Sequence, residues 1–399
     1  MPIKLYDSPH QFEPLFPSEF RQNVLLAKAH DVLREAGELV NQPVPEDLRE
    51  LLRGMNSYYS NRIEGQHTRP LEIEQALKKD FSRDPKVASK QKLALAHMVA
   101  ERDVEARLDA HATGGSALSS EQLYAPELLC YLHNQLFAGN VGTALADVGV
   151  IRSRDVQVGQ HIAPTATSVP QFLNRWQAFY GGVRRGEAAL LSITAAHQRL
   201  AWIHPFEDGN GRVARLHTHA LLHAQGLTRG LWSPLRGFAR TADRYYALLA
   251  AADEPRRGDL DGRGNLSESA LMAWMDYVLD ICRDQIQLMR GLLKLQTMEQ
   301  RIAAALSFEE HTQRSGVRMQ AIKPLHYLWL GGHSMERGEF KTMTGLGERV
   351  ATGVLTALIQ RGLLKSDSPQ GKVRFGVPLH ALRFYFPSLW PEAEADVAV

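Results

Sequence analysis

His204-Pro205-Phe206-Glu207-Asp208-Gly209-Asn210-Gly211-Arg212, with Arg215 three residues on, is the stretch on which the fold of this 399-residue chain turns. An apolar helix ends at Ile203, a loop turns through two glycines, and a second helix begins near Arg212. Backbone N–H groups of Gly209, Asn210 and Gly211 can then point one way at a helix N-terminus, a ready anion site. The glycines permit the unusual φ values such a nest needs. Arg212 and Arg215 share a helix face and can fork onto phosphate oxygens. Asp208 is a hard oxygen ligand suited to Mg²⁺, and His204 at the loop entrance is a candidate general base. Base, metal ligand, nest and two arginines make a phosphoryl- or nucleotidyl-transfer constellation.

Working outward, apolar residues recur at helical spacing on both sides of this loop. Leu48, Leu51, Leu52, Met55, Tyr59 and Ile63 predict one amphipathic helix from Pro45 to Ile63, stopped by Gly65. Further helices are expected over Ser119 to Phe137, Pro170 to Arg184, Glu187 to Ile203, Arg212 to Ala224, Thr241 to Ala252 and Ser267 to Leu306. Polar breaks fall at Asn41 to Pro45, Ser82 to Pro85, Ala112 to Ser120, Asp253 to Gly264 and Glu309 to Gly316. Between Val148 and Val169 the alternation of Val150, Arg152, Val156, Val158 and Ile162 around glycines predicts a short hairpin. In the last third, helices at Ile322 to Leu330, Glu336 to Leu346 and Glu348 to Arg361 precede strands at Leu363 to Asp367 and Val373 to Val377, the order of a winged helix. The fold class is therefore mainly α with a small α+β module at the C-terminal end.

The central string resembles the active-site motif of the Fic family, HPFx[D/E]GNGRxxR, with every motif position filled. Eight chosen identities recur by chance about once in 10¹⁰ positions, which excludes coincidence. The resemblance implies a helical Fic core over roughly Ser119 to Ala252 and transfer of AMP from ATP to a hydroxyl side chain of a target protein. It assigns His204 as the base that deprotonates that hydroxyl, Asp208 as the Mg²⁺ ligand, and Gly209, Asn210 and Gly211 as the phosphate cradle. Arg212 would clamp the β/γ end and Arg215 the γ-phosphate. The acidic Asp208 and the intact GNGR segment separate the chain from the Doc-like branch, whose members act as protein kinases.

Ser60-Asn61-Arg62-Ile63-Glu64-Gly65 closes the Pro45 to Ile63 helix. Glu64 faces the negative end of the helix dipole there, at a cost of about 0.3–1 kcal/mol, so a cation should meet it. The string resembles the family's inhibitory motif, [S/T]xxxE[G/N]. That resemblance implies that Glu64 pairs with Arg215 and blocks productive ATP binding, with Ser60 and Gly65 completing the device. The alternative is an exposed Glu beside a helix-capping Gly.

The hairpin stands where the family places a flap that docks the target backbone by strand addition, with Gly159, Gln160, His161 and Ile162 at its tip or return strand. Tyr245 and Tyr246 match a family pattern near the adenine pocket, with core packing as the other reading. His197 also matches a family histidine and equally suits helix packing. His217, His219 and His223 suggest a metal site, but they lack a Glu-bearing zinc motif and no third ligand is evident in the sequence, so no metal is expected on them.

Composition narrows the rest. The chain is 44% hydrophobic and 23% charged with a formal charge of +2, which excludes a disordered chain and a uniformly basic coat. No membrane-length apolar run and no signal-peptide pattern occur, so a cytoplasmic protein is expected. Cys130 and Cys282 are too few for a disulfide framework and read as buried core residues. From Gly316 to Pro387 there are ten Lys/Arg against four acidic residues. That local excess makes DNA a candidate partner of the winged helix, against a role in packing, homodimerisation or substrate docking. Three consecutive parts are expected: 1–115 with the inhibitory helix at about 45–65, a catalytic core at 116–300 and the winged helix at 310–390. The activity expected is Mg²⁺-dependent protein adenylylation restrained by Glu64. AMP removal at the same site, or DNA-binding regulation with a nucleotide sensor, are the alternatives.

Overall fold

The computed structural model describes residues 5–110, 118–139 and 147–397. Most of the expected break from Ala112 to Ser120 thus lies outside the described residues. The chain forms two compact units that interleave in sequence: residues 1–40, 56–68 and 80–286 in the first, and 41–55, 69–79 and 287–399 in the second. The Glu46–Ile63 helix supplies its first half to the second unit and its second half to the first.

The first unit is built around two helices, Gly186–Ile203 and Asn210–Ala224, which flank the central loop and pack on each other. Every residue from Ala189 to Leu200 and from Arg212 to His223 is buried. The Gly186–Ile203 helix is accordingly mostly apolar or small on all faces, whereas Asn210–Ala224 also buries Arg212, Arg215 and three histidines, each of which needs a partner. Trp176 donates its indole N–H to the Ala196 carbonyl at 3.1 Å and Trp274 to the Thr194 carbonyl at 2.8 Å. Two large rings thereby pack on the Gly186–Ile203 helix with their polar edges satisfied. The Pro85–Asp109 and Pro126–Phe137 helices cover the Asn210–Ala224 helix, and Glu19–Val40 and Val169–Tyr180 cover the other.

Three elements differ from expectation. Ser119 to Phe137 is two helices, Ser120–Leu123 and Pro126–Phe137, because Pro126 forces Ala125 into the extended region at ψ 140°. Ser267 to Leu306 also divides, into Glu268–Leu292 and Leu295–Ser307, where Lys294 leaves the helical region at ψ 112°. The hairpin is far shorter than its alternating pattern: only Gln157–Val158 and His161–Ile162 pair, about Gly159 at φ 60°. Upstream, the Arg152 backbone N–H bonds to the Pro205 carbonyl at 2.9 Å, so that segment is tied to the central loop rather than to a strand. Cys282 is buried as expected, whereas Cys130 is half-buried.

In the second unit the helices Ile322–Gly331, Arg337–Thr344 and Glu348–Gln360 pack beside a three-stranded antiparallel sheet. Val373–Phe375 is its central strand, between Leu364–Lys365 and a strand the sequence pattern missed, Ser334–Met335. Trp329, Phe375, Tyr385 and Phe386 form the core. The basic excess is largely committed: Lys341 pairs with Glu348, Arg361 with Glu309, Lys365 with Asp47, Lys372 with Glu336 and Arg374 with Asp367. Among the described residues no helix is long and apolar enough to cross a membrane.

Candidate active site

The central loop is held by three side chains, only one of which belongs to the expected site. His204 ends the Gly186–Ile203 helix in the left-handed region at φ 52°, a conformation a non-glycine residue adopts only when its surroundings impose it. Arg152 imposes it. Its guanidinium donates to the carbonyls of His204 at 2.8 Å, Arg154 at 2.9 Å and Pro164 at 2.5 Å. Arg152 was legible only as one member of an alternating pattern, and nothing in the sequence marked it as a brace. Asn210 is the second brace: its amide accepts from the Phe206 N–H and donates to the Phe206 carbonyl, both at 2.8 Å. Its side chain therefore fixes the loop, leaving its backbone N–H in the first helical turn. His133 is the third, with Nε2 3.1 Å from the Asp208 carbonyl, Nδ1 accepting from the Gly149 N–H at 2.8 Å, and its ring stacked on Phe206 at 4.2 Å.

Gly209 is sterically required, and Gly211 leaves room for the Glu64–Arg215 pair. Gly209 sits at φ 81°, and a Cβ there would lie 2.5 Å from the Phe137 ring. A Cβ on Gly211 would collide with the Glu64 carboxylate and approach Arg215 Nη1 at 2.9 Å.

The structure brings the two arginines and the Ser60 to Gln66 segment together. Arg215, only 1% exposed, donates Nη2–H to Glu64 Oε1 at 2.6 Å and to the Ser60 carbonyl at 3.0 Å, and Nε–H to Ser60 Oγ at 3.2 Å. Burial alone would raise the Glu64 pKa, but the charge and hydrogen bond of Arg215 outweigh it and hold the carboxyl below its ordinary value. Arg212 donates to Gln66 Oε1 at 2.9 Å, lies 3.6 Å from Asp208 Oδ2 and covers the Phe137 ring at 4.5 Å. Its Nε is buried without a hydrogen-bond partner, a vacant donor of the kind an anion would accept from. Gly65, at φ 68°, ends the helix, and its N–H bonds to the Arg62 carbonyl at 3.0 Å.

A cavity of 570 Å³ is lined by Glu64, His204, Gly211, Arg215 and the hairpin residues Gly159, Gln160, His161 and Ile162. That volume suits a nucleotide-sized ligand. Burial, reinforced by His161 nearby, lowers the His204 pKa to about 4, so its imidazole is neutral at physiological pH and able to accept a proton. His161 is anchored by Nε2 to the Trp202 carbonyl at 2.8 Å. The two tyrosines have separate roles. Tyr245 is core, its hydroxyl 3.0 Å from His197 Nε2, while His197 Nδ1 reaches Thr218 Oγ1 at 2.7 Å. Tyr246 is exposed at the cavity and donates its hydroxyl to the Ile63 carbonyl at 3.1 Å, the end of the Glu46–Ile63 helix. On the same wall, burial raises Asp253 to about 7 against the opposing charge of Arg199.

Asp208 carries an exposed carboxylate whose Oδ1 accepts the Gly209 N–H at 2.6 Å. A hard oxygen donor on the central loop and open to water fits Mg²⁺, which keeps several waters and takes one or two carboxylates beside substrate phosphates.

Residues 123–222 match the family model described as Fic/DOC family. Protein adenylyltransferase Fic of Drosophila melanogaster is 31% identical over 107 residues, 27% of this chain and 21% of that protein. The orthologous sequence of Drosophila yakuba is 30% identical over the same length. The chain thus spans about a fifth of the length of the curated relatives it matches. Among solved structures, a Fic family protein from Desulfovibrio desulfuricans G20 superposes with a TM-score of 0.54 at 17% identity, covering 92% of this chain and 99% of that one. A Fic domain containing signaling protein from Bacteroides thetaiotaomicron VPI-5482 gives 0.50 at 19% identity, covering 66% and 95%. With a filled motif and a matching domain around the loop, the chain carries a Fic/DOC family domain over residues 123–222, in a mainly helical fold shared with these structures.

Proposed function

We propose that this protein is a Mg²⁺-dependent protein adenylyltransferase whose own Glu64 restrains it. The observation that carries this reading is the Glu64–Arg215 pair, which places a carboxylate on one of the two arginines a triphosphate would need. His204, neutral and set at the cavity wall, takes the proton of the incoming Ser, Thr or Tyr hydroxyl. The hydroxyl oxygen then bonds to the α-phosphorus as the bond to pyrophosphate breaks, giving an AMP ester on the target. Arg212 and the N–H groups at Gly209 to Gly211 bind phosphate oxygens, and Asp208 would hold Mg²⁺. Bound there, Mg²⁺ supplies neutralisation of charge developing on the phosphates. The short strand His161–Ile162 offers the target segment a backbone edge.

A second reading has support from the same pair. An ionised Glu64 at the cavity could also orient water and remove AMP from a modified target, so transfer and removal would share one site. Incubation of the parent, Glu64→Gly and Glu64→Gly/His204→Ala with Mg²⁺ and α-labelled ATP in lysate tests the proposal. Label that rises with the first change and vanishes with the second supports it. Absence of label in every lane overturns transfer, and loss of AMP removal on Glu64→Gly supports the second reading.

A further inference from the structure

Behind the phosphate-binding arginines the Pro85–Asp109 helix lies against Asn210–Ala224. His97, Glu101, Glu105 and Asp109 stand at four-residue steps on the first, and Arg215, His219 and His223 at the same steps on the second. Side chains so spaced share a face, and the two stripes meet. Residues that sequence spacing left without a third ligand acquire one across 114 positions. His219 Nε2 lies 2.9 Å from Glu105 Oε1 and 3.7 Å from Glu101 Oε1, and His223 Nδ1 lies 3.7 Å from Glu105 Oε1. His217 is not part of the group, since its Nε2 is 2.7 Å from the Leu123 carbonyl.

We propose that Glu105, His219 and His223 form a site for a zinc-like divalent transition metal, with Glu101, 3.7 Å from His219 Nε2 but outside that group, able to complete it by a side-chain shift. Ligand atoms of Glu105, His219 and His223 already lie within 4.8 Å of one another, and the 2.9 and 3.7 Å separations bracket the roughly 3.3 Å edge of a tetrahedron with metal–ligand bonds of about 2.0–2.1 Å. Facing helices are a recurrent framework for such sites.

Three further observations point the same way. Glu101 and Glu105 are 1% and 3% exposed, and a carboxylate so far from water is a ligand that a buried cation would stabilise. Outer-shell partners also stand in place: His223 Nε2 faces Asp109 Oδ1 at 3.0 Å, the carboxylate–histidine arrangement that orients a metal-bound imidazole, and Asn56 Nδ2 donates to Glu101 Oε1 at 2.9 Å. Finally, His97 is wholly buried with no hydrogen-bond partner on either ring nitrogen, and its Nδ1 points at Glu101 Oε2 from 3.8 Å. Thr228 Oγ1, now 3.1 Å from His223 Nδ1, would rotate away on loading.

The test strips the full-length protein with EDTA, reloads it with Zn²⁺ or Co²⁺, desalts it and reads metal content by mass spectrometry, the visible spectrum of the Co²⁺ form and the melting temperature. One metal per chain, intense tetrahedral Co²⁺ absorption and a higher Tm are expected. Glu105→Gln and His223→Gln should each weaken zinc binding by well over about tenfold, more than loss of an outer-shell partner costs. Asp208→Ala, at the separate Mg²⁺ position, should retain zinc. Parent protein that takes up no stoichiometric metal, or shows only octahedral Co²⁺ absorption, overturns the proposal even if the variants fail to fold. Zinc equally retained by Glu105→Gln and His223→Gln overturns it as well, leaving a hydrogen-bond network in its place.

Discussion

Glu64 Oε1 accepts from Arg215 Nη2 at 2.6 Å while Ser60 engages the same guanidinium through both its hydroxyl and its carbonyl. One turn of helix thus presents three acceptors to one buried cation, and a γ-phosphate competing for Arg215 must displace the charged one. A charge-assisted bond of this kind contributes about 1.5–3 kcal/mol, so Glu64→Gly should raise AMP incorporation roughly 10- to 100-fold. Label transfer from α-labelled ATP reads this directly, and the companion change His204→Ala should return it to background. A parent that is already as active as Glu64→Gly would sink the restraint.

Tyr246 holds the same helix from outside the arginine. Its hydroxyl is bonded to the Ile63 carbonyl, one residue before Glu64. Tyr246→Phe removes that bond, whose net worth is about 0.5–1.5 kcal/mol, and keeps the ring. Basal transfer should rise about two- to tenfold with the Glu64 background intact, and not at all when Glu64 is already Gly. A decrease in both backgrounds would instead assign the hydroxyl to nucleotide binding.

Asn210 fixes the loop through two bonds to the Phe206 backbone. Asn210→Ala leaves a buried N–H and C=O unpaired at about 1–3 kcal/mol each, which the melting temperature will show as a fall of several degrees. Transfer by Asn210→Ala/Glu64→Gly should drop more than about 100-fold below Glu64→Gly, because the cradle loses its shape while His204 and both arginines remain. Unchanged transfer with the same fall in Tm would confine Asn210 to stability.

Much of this site was legible because its chemistry is local. The His204 to Arg215 string fixes base, turn and arginines within a dozen residues, and the Glu64 cost at a helix end anticipated a cation that proved to be Arg215. The braces were not legible: Arg152 and His133 act through contacts 52 and 75 residues away, and an Arg or His in isolation carries no sign of its partner. The same holds for Glu105, which lies among ordinary helix-surface spacings until the Asn210–Ala224 helix is laid against it. Short strands failed for a further reason. Alternation at 148–162 reports which side chains face inward, whereas pairing was decided by where Arg152 and Pro205 meet.

The basic excess of the C-terminal module was read from composition, and its geometry weakens the case for DNA. Five of its cations are paired with carboxylates, and the Glu348–Gln360 helix exposes Glu348, Arg349, Val350, Thr352, Gly353, Thr356 and Gln360. A helix face with one cation and small polar residues has little with which to read bases. Retention of random duplex DNA should therefore be weak and lost by physiological salt. Sequence-selective retention surviving 150 mM salt, on the order of the physiological value, would restore a DNA-binding role.

Acid should unfold the first unit earlier than its carboxylates alone would dictate. Burial lowers His204 and His217 to about 4 and His97 and His197 to about 3, against an ordinary value of 6.5. In the unfolded chain these imidazoles bind protons below about pH 6.5, while the folded state refuses them until about pH 4 or lower. The unfolded state thus carries more protons across that window, and stability rises with pH through it. The contribution is fully present above pH 6.5 and is lost as pH falls toward 4. In EDTA, the melting temperature should decline steadily from pH 6.5 to 4, and His217→Gln, which keeps a donor toward the Leu123 carbonyl, should flatten part of that slope. For catalysis the same depression moves the acid limb: transfer by Glu64→Gly should hold its rate through pH 6 and fall only near pH 4 to 5, since His204 remains a free base until then. A rate that halves near pH 6.5 would mean that His204 is far more open to water than its place beneath the flap allows.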